Sequence, residues 1–270
     1  MEKKVFITFA DRKMKPTLQR IKSEALQSRF FDEINTYDER TFDSAYWKRY
    51  KKWYLEHPRG FGYWYWKPYL ILRELNKMSD GDILIYLDAG CVINSGGGNR
   101  FNDYIEMSRE FGIVCFDHTN CYEKQYTKAD LLQFAGKRDD EEFLQSRQVM
   151  SGIIIIHKSS TTHQIVKKWY SWMHENPALI DDSPSLLPEF PEFRENRHDQ
   201  SVFSILAKEC GAKILPQGEV YPTPCDWSTM DAYPFWAARR KSFSKPALMQ
   251  RIINKLKTVF QLKATFLRKM

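Results

Sequence analysis

Short apolar runs alternate with amphipathic stretches along most of the chain. Residues 3–9 (Lys-Lys-Val-Phe-Ile-Thr-Phe) predict a first strand after a basic start. Pro16 suits the first turn of a helix, to which Leu18, Ile21, Ala25 and Leu26 give an apolar stripe. Residues 30–37 read as a second strand. Residues 43–56 read as a helix in which Tyr46, Tyr50, Trp53 and Tyr54 recur at spacings of three and four. Pro58-Arg59-Gly60-Phe61-Gly62 reads as a flexible turn, and Pro68 opens a helix to about Met78. Ile83 to Leu87 is a near-continuous apolar run behind the turn Ser79-Asp80-Gly81, the signature of a strand buried on both faces.

The alternation continues beyond it. Gly96-Gly97-Gly98 is a loop without the G-K-[ST] ending of a phosphate cradle. A helix to about Arg109 leads to a strand over 112–116, a short helix over 127–134 and a buried strand over 149–156. Ser159 or Ser160 caps a helix through Met173. Residues 177–193 contain Pro177, Pro184, Pro188 and Pro191 and read as a long loop of the kind that forms lids or binding surfaces. A helix over 198–210, closed by Gly211, and a strand over 213–215 follow. Residues 216–234 are irregular. Strands alternating with helices predict an α/β fold with a mostly parallel, twisted sheet covered by helices on both faces.

Composition adds one asymmetry. The chain carries a net charge of +7, but residues 232–270 hold ten Lys/Arg and no Asp/Glu, so residues 1–231 carry 7 − 10 = −3. The basic character is expected to belong to a tail over 236–270. There Met249, Ile252, Ile253, Leu256 and Phe260 would share one face of a helix with Arg251, Lys255 and Lys257 off it, the pattern of an interfacial helix on an anionic membrane. The acidic balance of residues 1–231 argues against a nucleic-acid groove. The five cysteines form no C-x-x-C pair, and Met1-Glu2-Lys3-Lys4 leads straight into a strand. Both fit a reducing cytoplasm without a signal peptide. A cytoplasmic protein held peripherally at the inner face of the membrane is the expected location.

Four places could carry chemistry. Thr8-Phe9-Ala10-Asp11 ends the first strand, where backbone groups could hold a nucleotide base. Lys67 sits at a helix start, electrostatically misplaced unless an anion is near, and a phosphate would suit it. Asp88-Ala89-Gly90 ends the central strand, where ligands bind in open α/β sheets. Asp88 could hold a divalent cation there. Arg197-His198-Asp199-Gln200-Ser201 opens an otherwise apolar helix. Asp199 could act as a base, a metal ligand, a charge stabiliser or simply an N-cap. No G-x-S-x-G, H-E-x-x-H or G-x-G-x-x-G occurs, so hydrolase-elbow, zincin and dinucleotide fingerprints are absent.

Five segments in order resemble GT-A-fold glycosyltransferases encoded with bacterial surface polysaccharides. They are Trp66-Lys67-Pro68-Tyr69-Leu70, Asp82 to Gly90, Tyr126 to Leu131, Gln148-Val149-Met150-Ser151-Gly152 and Arg197 to Ser201. The resemblance implies a GT-A-like domain over 1–235. It implies a nucleotide-sugar donor, usually a UDP-sugar, with Mn²⁺ or Mg²⁺ on its diphosphate, and a saccharide or lipid-linked acceptor. By this analogy Asp88 takes the place of the metal-binding D-x-D motif, with Ala89 and Gly90 beside it. Thr8, Phe9 and Lys67 approach the nucleotide. Gln148, Ser151, Gly152, His198 and Gln200 contact substrate, and Asp199 faces the reacting centre. The sequence departs from the family pattern in two ways: Gly90 replaces the last carboxylate of D-x-D, and no histidine follows His198. A non-catalytic nucleotide- or sugar-binding protein of the same fold is the competing expectation.

Overall fold

The computed structural model describes residues 2–241. The predicted amphipathic helix around Met249 to Phe260, and with it the membrane expectation, lies outside the described residues. A six-stranded sheet runs in the order β2-β1-β3-β6-β5-β7. Its strands are β1 (Lys4–Phe9), β2 (Glu33–Tyr37), β3 (Ile83–Leu87), β5 (Ile113–Tyr122), β6 (Arg147–His157) and β7 (Lys213–Leu215). The two-residue strands β4 (Val92–Ile93) and β8 (Phe235–Trp236) pair separately.

The sheet is mostly parallel, as the alternation of strands and helices implies. β1 runs parallel to β2 and β3, and β5 parallel to β7. β6 is the exception, antiparallel to both β3 and β5. A strand buried on both faces reads the same in either direction, so this reversal leaves no mark in the local pattern.

Side-chain alternation divides the core into two layers. Leu84 and Tyr86 of β3 and Ile154 and Ile156 of β6 face a layer shared with α4 (Trp66–Leu75), α9 (Ser160–Glu175) and α10 (Asp199–Glu209). Ile83, Ile85 and Leu87, with Ile153 and Ile155, face the other layer beneath α1 (Lys15–Ser28) and α5 (Gly98–Phe111). Two helices of the first layer start at side-chain caps visible in the sequence. Ser159 caps α9 through a reciprocal box with Thr162, and Asp43 caps α2 (Ser44–Glu56). Shorter helices, α6 (Glu123–Tyr126), α7 (Ala129–Phe134) and α8 (Glu141–Leu144), connect β5 to β6.

The expected flexible turn at 58–62 is a held, left-handed turn, α3 (Gly60–Tyr63). Gly60, Phe61, Gly62, Tyr63 and Trp64 all have φ between 51° and 78°. Each non-glycine residue there costs about 1–2 kcal/mol. Two indoles brace the turn: Trp53 Nε1 donates to Gly62 O at 3.0 Å and Trp66 Nε1 to Gly60 O at 3.2 Å. A Cβ on Gly62 would stand 2.5 Å from the Tyr54 ring, so glycine is required there for both conformation and space.

The domain also continues past the boundary expected at residue 235. Trp236 pairs with Val92, Ala237 N donates to Val220 O at 2.7 Å, and Arg240 N donates to Gly90 O at 2.8 Å. Residues 237–241 therefore form a strap over the end of β3, and three of the ten basic residues assigned to the tail belong to the folded unit.

Candidate active site

The strap, the left-handed turn, the ends of β1 and β3 and the middle of β6 line a cleft of about 570 Å³, within the usual range for small-molecule sites. Asp88 follows the last residue of β3, at the carboxyl end of the parallel half of the sheet, where such folds place ligands. Because Asp88 lies two residues beyond Tyr86, both project toward the α4/α10 side, and the Tyr86 hydroxyl donates to Asp88 Oδ1. On the neighbouring antiparallel strand Gly152 O accepts from Asp88 N at 2.8 Å, which brings Ser151 and Gly152 beside the carboxylate.

Lys67, the second residue of α4, is the centre of this arrangement. It is 1% exposed, and its ammonium lies 2.6 Å from Asp199 Oδ2 and 3.4 Å from Asp88 Oδ1. It also donates to Ser151 Oγ at 3.1 Å, and Ser151 Oγ in turn donates to Asp199 Oδ2 at 2.7 Å. The anion that a lysine at a helix start requires is thus supplied by the protein itself. Burial alone would depress the lysine pKa; the Asp199 and Asp88 charges outweigh it and raise that pKa above its ordinary value. Burial also raises the Asp199 carboxyl above the usual carboxylate range, against the pull of Lys67.

Asp199 is the first residue of α10, and His198, not Asp199, occupies the cap position. The N-cap alternative for Asp199 is thereby set aside: its Oδ2 is turned to Lys67 and Ser151 instead. His198 holds φ 55°, donates from Nδ1 to Ile180 O at 2.6 Å and stacks on Tyr63 at 4.7 Å between ring centres. Burial lowers its pKa, which favours the neutral imidazole. The Pro-rich loop over 177–193 is therefore tied to the site rather than loose. Lys128 Nζ donates to Ala178 O at 2.6 Å, and Asp130 accepts from the backbone of Leu186 and Leu187.

Ten of the twelve residues singled out from the sequence line this cleft: Phe9, Lys67, Asp88, Ala89, Gly90, Ser151, Gly152, His198, Asp199 and Gln200. Thr8 and Gln148 do not. Thr8 is 1% exposed, its side chain pointing to the opposite sheet face from Phe9. Gln148 is fully buried, bonding Tyr126 O, Thr127 Oγ1 and Ser201 Oγ through Nε2, while Oε1 accepts from Gln200. It acts as the brace that sets Gln200 and α10 against β6.

Ala10 and Asp11, from the predicted end of the first strand, also line the cleft, whereas Arg59, Trp64, His118, Arg239 and Lys241 escaped sequence reasoning. Arg59 is neutralised by Asp182 at 3.2 Å and Glu195 at 3.3 Å. His118 is held below its ordinary pKa by burial, then by the Arg197 and Arg239 charges beside it. The two glycines of the turn carried a signal for Trp64. The strap carried none, because its contacts are with residues far away in sequence.

The donor set around Asp88 does not fit a divalent cation. Oδ1 already receives the Tyr86 hydroxyl and faces the Lys67 ammonium, which leaves Oδ2 as the one oxygen of this carboxylate free to ligate. Gly90 offers no side-chain ligand, and among the described residues no three His, Cys, Asp or Glu side chains converge. Hard cations take six or more oxygen ligands, usually including carboxylates not already paired with a lysine.

No protein-family model matches the chain, and no curated protein matches its sequence. Solved structures with a similar chain path include a glycosyltransferase involved in glycosylation of the major capsid of PBCV-1. It is 9% identical, with a TM-score of 0.49, over 86% of this chain and 91% of that one. Mouse xyloside xylosyltransferase 1 is 11% identical, with a TM-score of 0.47, over 88% and 97% of the two chains. The galactosyltransferase LgtC is 12% identical, with a TM-score of 0.45, over 84% and 78%. Each TM-score is below 0.5, so the functional reading rests on the cleft itself.

Proposed function

We propose that the protein is a glycosyltransferase, of the hexosyltransferase type, which moves a sugar from a UDP-sugar to a saccharide or lipid-linked acceptor in surface-polysaccharide synthesis. The observation that carries this reading is the meeting of three recognition chemistries in one cleft. Phe9, Phe61 and Trp64 supply aromatic faces for a base or sugar ring; Arg239 and Lys241 supply positive charge for a diphosphate; Asp88 and Asp199 supply acceptors for sugar hydroxyls. The motif resemblance supports the same class, since its separate segments converge here.

In this reading an acceptor hydroxyl attacks the anomeric carbon. The bond from that carbon to the diphosphate oxygen breaks, the electron pair leaves with the diphosphate, and the proton of the attacking hydroxyl passes to the departing diphosphate or to water. Fixed cations at the cleft stabilise the charge that develops there. Asp199, kept ionised by Lys67, places negative charge beside the sugar as positive charge builds on its ring. Lys67 and Ser151 act by holding that carboxylate in one orientation. The basic C-terminal segment is proposed to bring the domain to an anionic membrane surface at the cytoplasmic face, where a lipid-linked acceptor lies.

A thermal-shift screen of nucleotide sugars tests the donor class. Binding to the folded state alone raises stability by about 2.7 kcal/mol at a ligand concentration of 100 Kd. A UDP-sugar should raise the melting temperature more than its free sugar does. Failure of every nucleotide sugar to stabilise the protein would remove the proposal.

A further inference from the structure

The strap over residues 237–241 occupies the space where a second metal-binding carboxylate would project. A Cβ on Gly90 would lie 3.3 Å from Arg239 Cα and 3.7 Å from Arg239 C, against the backbone of the strap. The strap is fixed from below. Arg20, 1% exposed, donates through Nη2 to Ala89 O at 2.6 Å, Cys91 O at 2.7 Å and Arg240 O at 3.1 Å. One buried guanidinium thus ties the Asp88-Ala89-Gly90 turn to the strap, and Thr17 Oγ1 donates to Lys241 O alongside.

The strap also brings charge. Arg239 and Lys241 line the cleft, and among the described residues neither has a salt-bridge partner. The 29 residues beyond them contain no Asp, Glu or His, so no side-chain carboxylate from that segment could neutralise them. Two cations that line the cleft beside Asp11 and Asp88 without being salt-bridged to either form a ready site for an anion, and a guanidinium matches phosphate oxygens in pairs.

We infer that Arg239 and Lys241 bind the diphosphate of the donor directly, in place of the divalent cation that a D-x-D motif would hold. The inference rests on the proposed donor class but is tested without it. Gly90 is then the residue that admits the strap, and Arg20 the positioning residue that holds it. Asp88, with Oδ1 held by Tyr86 and Lys67, is left with Oδ2 to accept hydroxyl groups rather than to bind metal.

Titration calorimetry of the full chain with inorganic pyrophosphate in EDTA tests this. Binding should occur without metal and weaken with salt. Arg239→Gln should weaken it about tenfold or more, the scale of a lost charged hydrogen bond, and Arg239→Lys should recover part of the loss. Arg240→Gln removes the same charge from the same strap but outside the cleft lining, and should leave affinity unchanged. Equal melting temperatures verify that each variant is folded. Absence of binding in EDTA, binding that appears only with Mn²⁺, or equal losses in Arg239→Gln and Arg240→Gln would each overturn the inference. Nucleotide-sugar binding that requires Mn²⁺ would overturn it and leave the proposed function standing. Arg239-dependent pyrophosphate binding with no response to any nucleotide sugar would do the reverse.

Discussion

The ammonium of Lys67 stands 2.6 Å from Asp199 Oδ2 in the interior of the cleft wall, with the two side chains 1% and 4% exposed. Removing one member of such a pair leaves the other charge buried and unpaired, at a cost of about 3–5 kcal/mol. Lys67→Met should therefore lower the unfolding free energy on that scale, read by denaturant titration. A loss under 1 kcal/mol would mean that water reaches the pair and that its role in holding Asp199 is slight.

Asp199 should set the acid limb of the rate profile. Its carboxyl is raised above the usual range by burial, so as pH falls it takes a proton sooner than an exposed aspartate. Activity should decline through that raised pKa as the ion pair with Lys67 is lost. Asp199→Asn should lower turnover by about 10² or more and flatten this limb. An unchanged acid limb in the variant would assign the limb to another group.

Gly62 should tolerate no side chain. Gly62→Ala sets a Cβ into the Tyr54 ring in a left-handed conformation, and should cost about 2 kcal/mol or more. Because the same turn presents Phe61 and Trp64 to the cleft, donor affinity should fall as well. A variant with normal melting and normal donor binding would show that the turn adapts.

His174 makes stability pH-dependent. Burial pushes its pKa down to about 3 from an unfolded value of 6.5, while Tyr170 O and Tyr46 Oη hold the ring. The unfolded chain binds the proton first as pH falls. Stability from this group is therefore present above roughly pH 6.5 and lost toward pH 3, at about 1.4 kcal/mol per pH unit inside the window. His174→Gln should flatten that slope in urea titrations across the range. Identical slopes would exclude His174 as the source.

Much of the site was legible from residue type at strand and helix ends. Asp88 was visible because an apolar run stops at a carboxylate, and Asp199 because polar residues open an apolar helix. Lys67 was readable as a cation in need of an anion, expected to be a phosphate; the anions beside it are the carboxylates of Asp199, 132 positions later, and Asp88, with Ser151 of β6 between them. Thr8 and Gln148 were chosen for their place in a motif, whereas alternation along β1 and a buried hydrogen-bond network decide that neither lines the cleft. Arg239 and Lys241 looked like part of a solvated basic tail. Their role depends on Gly90 and Arg20, whose contacts with the strap have no local signal.

The most direct measurement is release of nucleoside diphosphate from a panel of nucleotide sugars, followed for the wild type and Asp199→Asn with candidate saccharide and lipid-linked acceptors. The account predicts release from at least one UDP-sugar, faster with acceptor present and reduced about 10² or more in the variant. A wild type that releases none from any donor, or a variant that matches it, would contradict the assignment of this cleft to sugar transfer.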